Sequence, residues 1–352
     1  MIELVHAVMH RLLSVLLLVA PASAREVVVL DTDSGMFGDD GVALVMVARS
    51  AKMVDLAGVT IVPGNVWPRQ GTEYTLNVLR LLHQPPTVYA GTDAPLVNSP
   101  AMAKESERRW GPLEYTGAFA YDPAEVKPAP GAHLTGKKPQ STSAVQFLIS
   151  QIERHPGQLT VLALGPMTNV ALALTLKPSL ATQIKQIVFM GGNVKVPGNA
   201  TKAAEFNFWF DPEAARIVLR SRIPVKVMFA LDACNKAPVK KQEFDQIAGM
   251  RTPITELFAE DLGKRYPAFY KNPDAVTYMW DSLAAAYLLD AKIVKTSREM
   301  YLDVQSGFGA FYGATIPLDR RLAPDATPVT LAVDIDATRA WELVRTLMTL
   351  PQ

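Results

Sequence analysis

Glu26-Val27-Val28-Val29-Leu30, followed at once by Asp31-Thr32-Asp33-Ser34-Gly35-Met36-Phe37-Gly38-Asp39-Asp40, is the stretch from which the fold can be argued. The β-branched run at 26–30 reads as a strand buried on both faces, as expected inside a parallel sheet. The polar loop then leads into Gly41–Ala51, which reads as a helix. Strand, loop and helix repeat along the chain. Strands are expected at Leu56–Val62, Thr87–Ala90, Leu159–Leu164, Gln186–Met190 and Val225–Leu231, with late strands at Met300–Gln305 and Val329–Ile335. Helices are expected at Thr72–His83, Thr142–His155, Met167–Leu176 and Pro212–Ser221, and again within 239–265 and 282–289. Such alternation predicts an α/β fold, a single domain over 25–352 with a mainly parallel central sheet flanked by helices. The stretch 94–140 is dense in proline and glycine and reads as a loop-rich insertion.

The composition narrows the function classes. Of 352 residues, 49% are hydrophobic and 20% charged, as in an ordinary globular chain. Thirty-five Lys+Arg against thirty-four Asp+Glu give a formal net charge of +1, so no strong field draws the chain to nucleic acid or to an anionic membrane. A single cysteine, Cys234, excludes an intrachain disulfide and cysteine-based zinc or iron–sulfur sites.

Residues 12–20 (LLSVLLLVA) form a short apolar run, preceded by Arg11 and followed by Pro21 and Ala22-Ser23-Ala24. That order of charge, apolar run and small residues is the pattern of a secretory signal peptide over 1–24. The run is far short of the ~20 residues of a membrane span. The expected location is therefore periplasmic or secreted, with no stable membrane insertion.

Asp31, Asp33, Asp39 and Asp40 put four carboxylates within ten residues, at the carboxyl end of the first strand, where open α/β sheets place their ligands. Carboxylates so crowded repel unless a cation or proton sits among them, and hard oxygen donors suit Ca²⁺ or Mg²⁺. Asp39 and Asp40 have a second reading, as acids favouring the start of the following helix.

The loop resembles the aspartate-rich signature of the inosine–uridine-type nucleoside hydrolases, with two departures. Ser34 stands where that family usually has proline, and two extra residues separate Gly35 from Asp39. Four further segments carry the resemblance: Gly58-Val59-Thr60 through Gly64-Asn65-Val66; Gly165-Pro166-Met167-Thr168-Asn169; Met190-Gly191-Gly192 through Asn199, Glu205-Phe206-Asn207 and Asp211-Pro212; and Trp280-Asp281. Five motifs in order, from about Val27 to Leu289, are more specific than any one of them.

The resemblance implies Ca²⁺-dependent cleavage of the N-glycosidic bond of a ribonucleoside, a small-molecule substrate. Asp33, Asp40, Asp281 and the carbonyl of Leu164 would hold the ion, with Asp33 as general base. Asp39, Asn207 and Asp281 would bind ribose hydroxyls, with Asn65 in the sugar pocket and Asn199 and Glu205 near the 5′-hydroxyl. Relatives that carry histidine before the late aspartate are thought to protonate the base with it. This chain has Trp280 there, so the resemblance points to the purine-preferring branch, with Trp280 and Trp110 stacking on the base. Tyr266, Tyr270 and Tyr278 have the spacing of a lid. The family often forms dimers or tetramers, which allows a homo-oligomer. Asn169 and Asp211 read as helix caps.

Two other classes stay open at this point. One is a secreted nucleoside- or sugar-binding protein with a retained metal site and little turnover. The other resembles the haloacid-dehalogenase-type phosphatases, with Asp31 as nucleophile and Asp33 as acid.

Overall fold

The computed structural model describes residues 25–35, 38–85, 87–122, 138–265 and 267–351. Residues 1–24, where a leader is expected, residues 123–137 of the insertion and Tyr266 lie outside the described residues. The strands are β1 (Glu26–Thr32), β2 (Val54–Ile61), β3 (Val88–Ala90), β4 (Leu159–Ala163), β5 (Gln186–Met190), β6 (Lys226–Phe229), β7 (Pro238–Lys240), β8 (Val276–Tyr278), β9 (Val294–Val304), β10 (Thr315–Leu318) and β11 (Val329–Ile335). Among the described residues they form a nine-stranded sheet, ordered β10-β9-β11-β6-β5-β4-β1-β2-β3, and a small β7-β8 pair. From β11 to β3 neighbouring strands run parallel, while β9 and β10 add an antiparallel edge.

The sheet is parallel because its strands are apolar on both faces. Leu30, Leu162, Val188 and Val227 enter one hydrophobic cluster, and their chain neighbours Val29, Val161, Ile187 and Met228 enter the other. A period of two therefore divides each strand between two helical layers. One layer holds the helices Asp40–Ala48, Pro68–Leu81, Asp281–Leu289 and Ala337–Thr349; the opposite layer holds Ala144–Arg154, Thr168–Leu176 and Pro212–Arg220. Every residue of the helix Asp40–Ala48 is buried, which suits its apolar character all round.

Some local expectations change. The insertion contains a helix, Pro100–Trp110, with Ser99 accepting from the Met102 amide and Pro100 at its first turn. The helix expected at Thr72 begins a turn earlier at Pro68, which fits the tolerance of proline at helix starts. Pro238–Lys240 is a strand, and helices follow at Lys241–Ala248 and Pro253–Arg265. No helix among the described residues is long and apolar enough to cross a membrane.

The strand order fixes the place of the site. β1 lies between β2 and β4, so connections leave it in opposite directions on its two sides. That is a topological switch point, and a crevice opens beyond its carboxyl ends. The carboxylate loop after β1 and Leu164 after β4 both face it.

Candidate active site

Asp31 and Asp33 come from the end of β1, and both are fully buried. They do different work. Asp31 accepts hydrogen bonds from Thr60 Oγ1 (2.6 Å) and Asn169 Nδ2 (2.8 Å). Burial still pushes its carboxyl up to about 6. Both bonds fall on Oδ1; Oδ2 is buried with no hydrogen-bond partner among the described residues, and Asp31, like Asp33, is not part of the cavity lining described below. Asn169 is not a helix cap, because its amide bridges Asp31 and the Ile61 carbonyl (3.1 Å). Asp211 does cap its helix, accepting from the Ala214 amide (3.0 Å).

Asp33 stands at the centre of the acidic group. Its Oδ2 accepts from the Asn65 amide at 2.6 Å, whereas Oδ1 is buried with no hydrogen-bond partner among the described residues. The Asp40 carboxyl lies beside those of both Asp33 and Asp281. It also accepts from Thr32 Oγ1 and from Asn65 Nδ2 (2.9 Å). Burial is the main cause that raises Asp33 and Asp281 well above the usual carboxylate range, and the neighbouring acids add to it. Three buried carboxyls in contact call for protons or a cation between them. No three His, Cys, Asp or Glu side chains among the described residues form a ready-made metal cage. The donor set nonetheless fits a hard cation: the acids are oxygen donors, Asp33 Oδ1 is orphaned, and Leu164 O keeps a lone pair beyond its bond from Asn207 Nδ2 (2.8 Å).

A cavity of about 400 Å³ opens above this cluster. Asp39, Asp40, Asn65, Leu164, Asn199, Glu205, Asn207, Trp280 and Asp281 all line it. Asp33 lies behind the lining, touching Asn65 and Asp40. Trp110 stands apart; it is 43% exposed and packs edge-on against Phe308 with ring centroids 5.2 Å apart. Tyr278 lines the cavity and tilts against Trp280 at 6.2 Å, whereas Tyr270 does not line it.

Within the segment EFNFWF, Phe206–Phe210 is a short helix. Buried Glu205 precedes it and accepts from the amides of Gly192 (2.7 Å), Asn207 (2.9 Å) and Phe208 (3.1 Å). Both its oxygens are thus committed to backbone. Their effect is to hold Asn207, whose amide donates to Leu164 O and Met190 O. Asn199 accepts from the Phe206 amide (2.8 Å) and braces the same turn. Glu205→Ala leaves three buried N–H donors unpaired, with an expected loss of about 3 kcal/mol. Urea denaturation of the variant checks the figure, and Glu205→Gln should lose less because its amide oxygen still accepts.

Sequence reasoning missed Tyr115. It belongs to the insertion, lines the cavity, and donates from its hydroxyl to Asn65 Oδ1 at 2.8 Å. Its segment is clipped at both ends, by Glu114 N to Ala200 O (2.9 Å) and by Ala118 N to Gly64 O (2.7 Å). An isolated tyrosine in a proline-rich stretch gives no signal of that kind. The far wall was also missed. Phe244, Ile247, Phe258, Leu262, Trp341 and Val344, from three helices distant in sequence, make an apolar end opposite the carboxylates.

The molecule thus offers a polar, acid-floored pocket continuous with an apolar chamber. A family model described as inosine-uridine preferring nucleoside hydrolase matches residues 28–342. The pyrimidine-specific ribonucleoside hydrolase RihB of Escherichia coli (strain SE11) is 30% identical over 318 residues, covering 90% of this chain and 95% of that protein. Among solved structures, a purine-preferring ribonucleoside hydrolase from Gardnerella vaginalis superposes with a TM-score of 0.72 at 25% identity, covering 93% of this chain and 100% of that one. An inosine-guanosine nucleoside hydrolase superposes with a TM-score of 0.74 at 23% identity, covering 93% and 99%, and so speaks for the fold alone. The single-domain, mainly parallel α/β architecture is that of these structures.

One expectation is corrected. The resemblance to the purine-preferring branch does not stand, because curated relatives at 30% identity are pyrimidine-specific. In the structure Trp110 does not line the cavity and packs against Phe308, so it is not placed to pair with Trp280 across a base.

Proposed function

We infer, from the premise that this chain belongs to the inosine-uridine preferring nucleoside hydrolase family and is a hydrolase of ribonucleoside N-glycosidic bonds, that it acts on pyrimidine ribonucleosides with the help of calcium. The observation that carries the reading is the buried row Asp33–Asp40–Asp281 beneath a cavity whose opposite end is apolar. Pyrimidine preference is supported by the specificity in the names of the curated relatives.

The bond to be broken leads through an oxocarbenium-like transition state, as in glycoside hydrolysis. Asp33 has an unpartnered oxygen to take a proton from the attacking water, and Asn65 and Asp40 fix its orientation. Asn65, Asn199 and Asn207 bring amide groups to the polar end, suited to ribose hydroxyls. Trp280 and the apolar chamber would receive the departing base and exclude water from it. Asp33, Asp40, Asp281 and the Leu164 carbonyl are the groups that would hold calcium. Bound there, the ion would acidify the attacking water and grip the 2′- and 3′-hydroxyls. The apolar run at 12–20 supports action outside the cytoplasm after removal of a leader.

Ribose release from uridine, cytidine, inosine, adenosine and guanosine tests the reading. The expected kcat/KM for the pyrimidine nucleosides exceeds that for the purine nucleosides by at least ~10-fold, a margin one or two pocket contacts can supply. Equal rates on all five would remove the pyrimidine preference and leave the hydrolase.

A further inference from the structure

Tyr115 joins two parts of the polar end of the cavity. Its hydroxyl donates to Asn65 Oδ1 (2.8 Å), and its ring packs edge-on against Phe206, centroids 4.7 Å apart, at the start of the short helix that carries Asn207. The backbone after it is seated as closely. Gly117 lies at φ +53°, where a Cβ would fall 2.3 Å from the Gly64 carbonyl oxygen and 2.5 Å from the Phe206 ring, so only glycine fits the turn. The Ala118 amide donates to that same Gly64 carbonyl (2.7 Å).

Asn65, the partner of the tyrosine, faces two carboxyls. Its backbone amide donates to Asp33 Oδ2 (2.6 Å) and its Nδ2 to Asp40 Oδ2 (2.9 Å). A carboxamide carries an acceptor on one arm and two N–H donors on the other. Turned over, it would set Oδ1 against the Asp40 carboxyl and Nδ2 against the Tyr115 hydroxyl. The tyrosine donor and the carboxyl acceptor therefore select one orientation between them. In that orientation one N–H of Nδ2 goes to Asp40, and the second has no partner among the described residues and is left for a ligand in the cavity that Asn65 lines.

We propose that Tyr115 is a positioning residue of the sugar end, whose hydroxyl holds the Asn65 carboxamide in the orientation that presents an N–H to the ribose, so that its effect on the reaction passes through Asn65. The inference deepens the ribonucleoside reading above and rests on it. Without the hydroxyl, Asn65 Oδ1 loses its partner and the carboxamide is free to turn about its last torsion. The sugar then meets the donor only part of the time. A misplaced contact of this kind lowers the rate although no reacting group has been removed.

The test is a double-mutant cycle of Tyr115→Phe and Asn65→Ala, read as kcat/KM on uridine at saturating calcium. Phenylalanine keeps the ring and its contact with Phe206, so the cycle isolates the hydroxyl. In the wild-type background Tyr115→Phe is expected to lower kcat/KM about 10-fold, with a melting temperature lower by no more than about 2 °C. In the Asn65→Ala background the same substitution should cost less than about twofold, because the group it positions is gone. A loss of about 10-fold in both backgrounds would mean that the hydroxyl acts without Asn65, and it overturns the proposal. So does a loss below about twofold in the wild-type background.

A wild-type chain that releases no ribose from any nucleoside would instead fail the functional reading. The pairing of Tyr115 with Asn65 is then judged by urea denaturation of the same four proteins. A midpoint that Tyr115→Phe lowers slightly in the wild-type background and leaves unchanged in Asn65→Ala upholds the pairing, and equal decreases in both sink it.

Discussion

Asp33→Asn is expected to lower kcat on uridine by about 10³–10⁴-fold while leaving the fold intact. On the proposed reading the substitution removes the proton acceptor and one charge from the groups that would hold calcium, so the kinetics are run at saturating calcium. Asparagine has the same shape, so it fits the slot between Gly64 and Gly165, and its Oδ1 can keep the bond from the Asn65 amide that Asp33 Oδ2 now accepts. The orphaned oxygen of Asp33 becomes an amide nitrogen, which cannot take a proton from water. Melting temperature should change little, and KM should move far less than kcat if substrate is held mainly by Asn65, Asn199 and Asn207. Steady-state kinetics decide the matter. A loss below about tenfold would place the base elsewhere in the pocket.

Removal of calcium should have an effect of similar size, and it should change the sign of the pH dependence of stability. Activity in excess chelator is expected to fall at least ~100-fold and to return on adding calcium, since the ion supplies charge stabilisation worth several kcal/mol. The stability argument runs through protons. Burial holds Asp31 and Asp39 up to about 6, and burial with neighbouring acids also raises Asp33 and Asp281 well above the usual carboxylate range. In the ion-free protein the native state therefore binds these protons more tightly than the unfolded chain, whose carboxyls titrate near 4. Their contribution is fully present below about pH 4 and is lost as pH rises through 6 and above. If, as proposed, calcium binds the ionised cluster, stability in its presence should rise over the same window. Ligand at 1,000 times its dissociation constant adds about 4 kcal/mol. Urea midpoints at pH 4.5, 6 and 7.5, for ion-free and calcium-loaded protein, would show opposite slopes. Parallel slopes would mean that the carboxyl cluster does not hold the ion.

The parts of the site that could be read from the sequence are those made by local chemistry. The run EVVVL announces a buried strand because five residues suffice to show it, and acids directly after it must face the strand's carboxyl end. Asp33, Asp40, Asn65, Asn207 and Asp281 all come together at the cavity floor for that reason. Roles set by long-range geometry were out of reach. Asp39 spends its carboxylate on amides 241 to 243 residues away, and no local pattern encodes that pairing. Glu205 caps the short helix Phe206–Phe210 and accepts an amide from Gly192, thirteen residues earlier, contacts that its place in the sequence does not show. Tyr115 reaches Asn65 only because both ends of its segment are tied to other loops. Trp110 misled in the opposite direction, since an aromatic in an insertion can as easily lie against Phe308 at the surface.

Gly64 and Gly165 flank Asp33 so tightly that a Cβ on either would fall 2.1 or 2.8 Å from its carboxylate oxygens. For the history of this chain, such crowding is a ratchet. Any variant that adds even one methyl group at either position pushes the Asp33 carboxyl out of register, so drift can explore the distant apolar chamber but not the two residues beside Asp33. Neither glycine has a side chain to do chemistry with, yet together they mould the space in which the chemistry is done. New substrate ranges should therefore arise in this protein by remodelling Phe244, Ile247 or Trp341 while the glycine-walled slot is inherited unchanged.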